Sequence, residues 1–248
     1  MDALFDLTGK VALVTGGSRG LGLQMVQAFA AHGADVVITS RKLDACEAAA
    51  EEVRALGRRA LAVSCHVGYW DQIDALVEAA YAEFGRVDIL VNNAGMSPLA
   101  PSSAETSEAL FDKIVDINFK GPFRLGSIIG QRMFDGDGGC IINVSSSGAL
   151  LPQPAFGPYA GAKAALNVLT KVLAYEYAPK VRVNTISAGP FLTDIADAWP
   201  EEARRSAPNA AGRPGNPDEI VTTALYLASP ASSFTNASLI RVDGGLYG

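Results

Sequence analysis

KVALVTGGSRGLG, residues 10–22, is the stretch whose reading decides the fold. Its first six residues, Lys10 to Thr15, are an apolar run of strand length. Glycines follow at 16, 17, 20 and 22, and apolar Leu21, Met25, Ala28 and Phe29 then recur at helical spacing through about Ala31. Strand, glycine-rich turn and helix in that order form the opening unit of a dinucleotide-binding fold. Gly16 permits the tight turn, and Gly20 and Gly22 let backbone approach a pyrophosphate and let the helix pack closely on the sheet. The helix start offers free N–H groups and the positive end of its dipole to the phosphates.

The rest of the chain alternates in the same way. Apolar strand runs are expected at Asp35–Thr39, Ala60–Ser64, Arg86–Val91, Cys140–Val144, Val181–Ile186 and Ser238–Val242. Helical patterns lie between them: Leu43–Leu56 closed by Gly57, Asp71–Phe84, and Thr106–Phe134 with an interruption around Asn118–Pro122. Another runs from about Tyr159 to about Tyr177, before Pro179, and a closing helix opens at Asn216-Pro217-Asp218. This order implies one doubly wound, Rossmann-type α/β domain over residues 1–248, with a seven-stranded, mostly parallel sheet. No internal repeat or second-domain linker interrupts it.

With 49% hydrophobic and 19% charged residues, the 248-residue chain suits a buried parallel sheet. A net charge of −6 without Lys/Arg runs argues against nucleic acid or an anionic membrane as partner. No apolar run approaches the ~20 residues of a membrane span, and MDALFDLTGK does not read as a signal peptide. Cys46, Cys65 and Cys140 show no CxxC spacing and read as buried thiols in a reducing compartment, so a cytoplasmic location is expected. His32 and His66 are the only histidines, so neither a histidine triad nor a metal site is expected.

The chemistry concentrates in residues 143–163, NVSSSGALLPQPAFGPYAGAK. Tyr159 and Lys163 are four apart and share one helix face. A tyrosine hydroxyl with its ordinary pKa of about 10 trades protons poorly near neutrality. A lysine ammonium one turn away is expected to lower that value and make Tyr159 a general acid or base. A serine at the end of the preceding strand would hold a substrate oxygen. At the tip of the second strand stands Ser40, followed by Arg41, where an acidic residue would mark NAD.

Taken together and in order, the TGxxxGxG stretch, Asn92-Asn93-Ala94-Gly95, the serines and YxxxK resemble the short-chain dehydrogenase/reductase family, near its 3-oxoacyl-carrier-protein reductases. The resemblance covers nearly the whole chain. It implies a catalytic set of Asn118, Ser146, Tyr159 and Lys163, Ser146 being chosen over Ser145 and Ser147 by its thirteen-residue spacing to Tyr159. Asn118 would bend its helix and hold a water that relays protons to Lys163. The cofactor would be met by Gly16, Ser18, Arg19, Gly20, Leu21, Gly22, Ser40, Arg41, Asn92, Ala94, Gly95, Tyr159, Lys163, Pro190 and Thr193. Similar reductases also carry a basic residue where Arg19 stands. Two guanidinium groups around Ser40 suit a 2′-phosphate and hence NADP(H), although Arg41 and Lys42 also read as a solvated helix start. His66 and Val67 would also meet the cofactor: relatives usually have Asp-Val here, so the contact with the adenine amino group is altered, but the Val67 N–H would still serve and a neutral imidazole can accept a hydrogen bond.

Ser187-Ala188-Gly189-Pro190 is closer in wording to enoyl reductases, but YxxxK points to carbonyl chemistry. The implied substrate is a small-molecule carbonyl or secondary alcohol. Met96, Gly148, Leu150, Leu151, Phe156, Phe191 and Trp199 are the expected pocket, with residues 194–215 as a lid. That apolar set favours a small apolar, cyclic or acyl ketone. The acidic Phe134-Asp135-Gly136-Asp137 counts against a carrier-protein substrate. A 3-oxoacyl-carrier-protein reductase, an NAD-dependent polyol or sugar dehydrogenase, and a catalytically silent dinucleotide sensor are the alternatives. Relatives are commonly homotetramers packed through the helices around Asn118 and Tyr159, where Ala160, Ala164 and Ala165 would allow close contact.

Overall fold

The computed structural model describes residues 3–247. Seven strands form one sheet in the order β3-β2-β1-β4-β5-β6-β7, and every neighbouring pair is parallel. They are β1 Val11–Thr15, β2 Asp35–Ser40, β3 Ala60–Ser64, β4 Ile89–Asn92, β5 Gly139–Ser146, β6 Val181–Ala188 and β7 Leu239–Val242. The main helices are α1 Gly20–Ala31, α2 Leu43–Ala55, α3 Trp70–Phe84, α4 Glu108–Val115, α5 Gly121–Asp135, α6 Gly157–Glu176, α7 Glu201–Arg205 and α8 Val221–Ala228. Among the described residues no helix is long and apolar enough to cross a membrane.

The apolar strand runs have a simple cause: both faces of the sheet are covered. In β1, Ala12 and Val14 pack with Met25 and Phe29 of α1, Val53 of α2 and Ala224 of α8. Val11 and Leu13, pointing the other way, pack with Ile73 of α3, Leu125 of α5 and Leu166 of α6. Strand order reverses between β1 and β4, which opens a crevice at their carboxyl ends, where such sheets bind ligands.

Two local features position the site. A chain of buried polar side chains crosses β4, β5, α6 and β6: Asn92 Nδ2 donates to Asn143 Oδ1 (2.9 Å), and Asn143 Nδ2 donates to Thr170 Oγ1 (2.9 Å). Thr170 and Thr185 hydroxyls meet at 2.8 Å. These bonds fix the height of α6 on the sheet, because a shift of one residue would leave buried amides unpaired. The second feature is the expected interruption before Pro122. It is a single π turn, Asp116–Lys120, that joins α4 to α5 without breaking the helical run.

Candidate active site

The glycine turn is braced from β4. Thr15 Oγ1 accepts from the main-chain N–H groups of Asn93 and Ala94, both at 3.0 Å. Asn93 Nδ2 donates to the carbonyls of Thr15 (2.9 Å) and Gly16 (3.2 Å). A Cβ on Gly22 would lie 2.2 Å from the Gly16 carbonyl oxygen and 2.6 Å from Asn93 Nδ2, so only glycine fits there. Gly20 has φ +53°, the left-handed region that glycine adopts without strain. The twelve-residue α1 then starts with no side-chain cap at Arg19 and no acidic residue in its first turn. Its first N–H groups are unsatisfied by side chains, and an anion such as a pyrophosphate fits them.

Around the β2 tip the two arginines are differently placed. Ser40 Oγ accepts from Ser18 Oγ (3.0 Å) and from the Lys42 N–H (3.3 Å), and contacts Cys46 Sγ at 3.1 Å. Arg41 is exposed. Arg19 is not gathered with it over Ser40: its Nη1 pairs with Asp194 Oδ2 at 3.0 Å, tying the glycine loop to the segment after β6. Thr193 also reaches this loop, since its methyl would be 3.3 Å from a Cβ on Gly20.

The end of β5 and the start of α6 form the second half of the crevice. Lys163 is 3% exposed, and its Nζ donates to the Val144 carbonyl at 2.8 Å. The three serines separate by environment. Ser145 is buried and donates to the Lys163 carbonyl (3.2 Å), and Ser147 is buried. Ser146 is half-buried, accepts from the Gly148 N–H at 3.0 Å, and hydrogen-bonds Tyr159. Phe156 meets the Tyr159 ring edge-on, with centroids 6.0 Å apart. Gly95 brings β4 in: a Cβ there would be 3.0 Å from Asn118 Oδ1 and 3.5 Å from Lys163 Nζ. Ser146 of β5, Tyr159 and Lys163 of α6, and Asn118 of the π turn thus converge from three elements.

The electrostatics differ from the expectation. Burial pushes the Tyr159 hydroxyl above its ordinary pKa, and the hydrogen bond with Ser146 pulls it back only in part. Lys163 stands with Nζ 6.0 Å from the Tyr159 ring centroid. Its own burial lowers it from 10.5 to about 8. Tyr159 is therefore a phenol near neutrality, a proton donor rather than a standing phenolate.

Asn118 justifies a residue type that helices disfavour. It is fully buried in the π turn, and its Nδ2 donates to the carbonyls of Met96 and Ile114, both at 2.9 Å. Its Oδ1 accepts from the Met96 N–H at 3.3 Å. The side chain is committed to backbone and ties the loop after β4 to the helix. Asn92 is buried in the sheet, where its Nδ2 donates to Asn143 and its Oδ1 has no hydrogen-bond partner among the described residues. Of the expected pocket residues, Phe191 is a correction: it is buried in the core with Ile186 and Ala188, packed against Gly215, because β6 runs two residues past Ile186. Gly148 and Phe156 do face each other beside Ser146. Thr15 and Asn93 stand in the quoted motifs but were assigned no contact of their own, and Asn143 and Asp194 are site-building residues that the sequence did not single out. Among the described residues no three His, Cys, Asp or Glu side chains cluster as a metal site.

This constellation has counterparts. The family model for short chain dehydrogenase matches residues 10–204. The chain belongs to the short-chain dehydrogenase/reductase family. It is 38% identical over 250 residues to 2-dehydro-3-deoxy-D-gluconate 5-dehydrogenase of Pseudoalteromonas atlantica, covering 98% of each chain. It is 37% identical over 254 residues to 3beta-hydroxysteroid dehydrogenase 1 of Eggerthella lenta, covering 97% of this chain and 95% of that one. A short-chain type dehydrogenase/reductase from Mycobacterium marinum superposes with a TM-score of 0.92 at 35% identity, over 97% of this chain and 96% of its own. As a member of that family the chain is an oxidoreductase acting between CH–OH and C=O with a nicotinamide dinucleotide, and its single domain matches those structures.

Proposed function

We propose that residues 1–248 form one short-chain dehydrogenase/reductase unit that uses NADP(H) to interconvert a ketone and a secondary alcohol. The observation that carries this reading is the meeting of Ser146, Tyr159 and Lys163 beside Gly95, in the same crevice as the uncapped α1 start. Ser146 holds the substrate oxygen, and Tyr159 gives its proton to that oxygen as the alkoxide forms. The nicotinamide, when bound, supplies or accepts the hydride. Lys163, charged below about pH 8, stabilises the tyrosinate left behind and binds the adjoining ribose. Asn118 supports the proton path through the π turn that it holds together.

The preference for NADP(H) rests on Arg41, exposed beside a β2 tip that carries no carboxylate; Arg19, in the glycine loop after β1, would join it only by leaving its exposed ion pair with Asp194. Arg41→Ala is expected to weaken NADPH binding about tenfold or more while leaving NADH nearly unchanged. Equal effects on both cofactors would remove the 2′-phosphate from the account.

The Gly148–Phe156 wall beside Ser146 favours a small apolar or cyclic ketone, in keeping with the steroid dehydrogenase among the relatives. The gluconate dehydrogenase relative gives a specific reason to hold a sugar-acid or polyol substrate as second reading. A panel of both classes separates them. Self-association, as a tetramer, is supported by apolar side chains exposed on α4–α6: Phe111, Phe123, and the stripe Val168, Val172 and Tyr175. Free, buried Cys46, Cys65 and Cys140 accord with a cytoplasmic location.

A further inference from the structure

One aromatic ring borders both Ser146 and Tyr159. Phe156 is the residue before α6, three positions ahead of Tyr159, and its ring meets that of Tyr159 edge-on with centroids 6.0 Å apart. Gly148 makes room for it: a Cβ there would be 2.9 Å from Phe156 Cε2, 3.5 Å from its Cζ and 3.3 Å from Ser146 Oγ. Ring edge and serine hydroxyl therefore border one small gap. Resting on the carbonyl-reductase reading above, we propose that Phe156 is the specificity-determining residue of the site. Its ring, seated against Gly148, confines one substituent of the carbonyl carbon to about methyl size, so the substrate is a neutral, unsymmetrical ketone whose larger apolar group lies toward Leu99 and Leu150.

Backbone as well as packing holds the ring in place. A short 3-10 turn, Pro154–Phe156, runs directly into α6, and the Phe156 N–H donates to the Gln153 carbonyl at 3.3 Å. The Ala155 carbonyl accepts from the Ala100 N–H at 3.0 Å, which ties the loop after β4 to the loop before α6. The ring already fills the space that a Cβ would take at Gly148, so it cannot retreat from Tyr159 in that direction. Swinging outward would give up the edge-on contact with Tyr159. A carbonyl carbon carries two substituents, and with its oxygen between Ser146 and Tyr159 the one toward Phe156 meets this fixed edge. The two tied loops carry Leu99 and Leu150, 68% and 40% exposed, which offer apolar surface to the other.

The charges around these loops oppose an anionic substrate. Residues 96–104 and 147–158 include no charged side chain. The segment 194–205 carries Asp194, Asp197, Glu201 and Glu202 against Arg204 and Arg205. Arg205 is paired with Glu201 at 2.5 Å, and Arg204 shares its cavity with Asp194 and Asp197. Lys163 is buried with its Nζ on the Val144 carbonyl. A carboxylate on the substrate would thus meet an acidic border rather than a free cation.

Steady-state reduction of 2-octanone and 4-octanone, isomers that differ in the size of the smaller substituent, tests this, with NADPH binding titrated alongside. The parent protein is expected to favour 2-octanone at least about tenfold in kcat/KM, and Phe156→Ala to bring the two within about threefold through a gain on 4-octanone. Phe156→Leu, which keeps an apolar side chain without the ring, should fall between them. A third substrate, 7-oxooctanoate, carries a carboxylate at the far end of the same methyl ketone and should be reduced at least about tenfold less well than 2-octanone. A parent that reduces both isomers alike, or a ratio unchanged in variants that still bind NADPH, would overturn the role of Phe156. Preference for 7-oxooctanoate would overturn the neutral substrate class. Turnover confined to polyol-derived ketones would overturn this inference and leave the oxidoreductase reading standing, whereas NADPH binding without turnover of any ketone would remove that reading itself.

Discussion

Replacing Lys163 by Met is expected to make the fold more stable near neutrality while removing activity. Lys163 is 3% exposed, and its pKa falls from 10.5 to about 8 on folding. Between those values the unfolded chain binds more protons than the folded one, so stability contributed at this position rises with pH across that window. The span corresponds to about 3–4 kcal/mol, a cost present in full below pH 8 and gone above 10.5. The hydrogen bond from Nζ to Val144 offsets part of it at every pH, because amine and ammonium both donate. Its net worth is about 0.5–1.5 kcal/mol, and Met fills a similar volume without a polar head. Lys163→Met should therefore be more stable than the parent by about 2–3 kcal/mol at pH 7, and less stable by about 0.5–1.5 kcal/mol above pH 10.5. Urea unfolding of both proteins from pH 7 to 11 measures the gap, and the titrations common to both cancel in the difference. A variant less stable at pH 7, or a gap that does not change with pH, would refute the reasoning.

Two other substitutions probe the scaffold. Gly22→Ala drives a Cβ to 2.2 Å from the Gly16 carbonyl. It should cost about 1–3 kcal/mol in urea unfolding and weaken cofactor affinity at least about tenfold; unchanged binding would separate the glycine turn from the cofactor. Asn118→Ala leaves the buried groups of Met96 and Ile114 without partners, so a loss of about 1–3 kcal/mol is expected. A change below about 0.5 kcal/mol would mean that water replaces the amide freely.

Much of this was legible in the chain because local pattern and tertiary structure agree. The Ala60–Ser64 run is β3 to the residue, and the Tyr159 helix begins only two residues earlier, where Gly157 and Pro158 supply its first turn. Asn118 announced itself as a poor helix residue with a task, but a sequence pattern does not say that the task is to span a π turn. What stayed hidden depends on contacts between distant residues. Arg19 and Asp194 are 175 positions apart, and nothing in either neighbourhood marks them as a pair. Asn93 stands in a quoted motif, yet its target, the Gly16 carbonyl, appears only when β4 lies beside β1. Phe191 was counted with the pocket as one of an apolar set, and only the fold shows it buried in the core against Gly215. The direction of the Tyr159 shift was missed for a similar reason: spacing shows that a lysine is near, and only the fold shows that burial raises the tyrosine and lowers the lysine.

The central claim is that Tyr159 is the proton donor of a nicotinamide-dependent carbonyl reduction. The most direct measurement follows NADPH consumption against a panel of apolar ketones, sugar acids and polyol-derived ketones, with the parent protein and Tyr159→Phe side by side, while binding of NADPH is titrated in both. The account predicts turnover of at least one ketone by the parent, a fall of about a thousandfold or more in kcat for Tyr159→Phe, and cofactor affinity equal within about threefold. Turnover that survives in Tyr159→Phe, or tight cofactor binding by the parent with no turnover of any class, would contradict it.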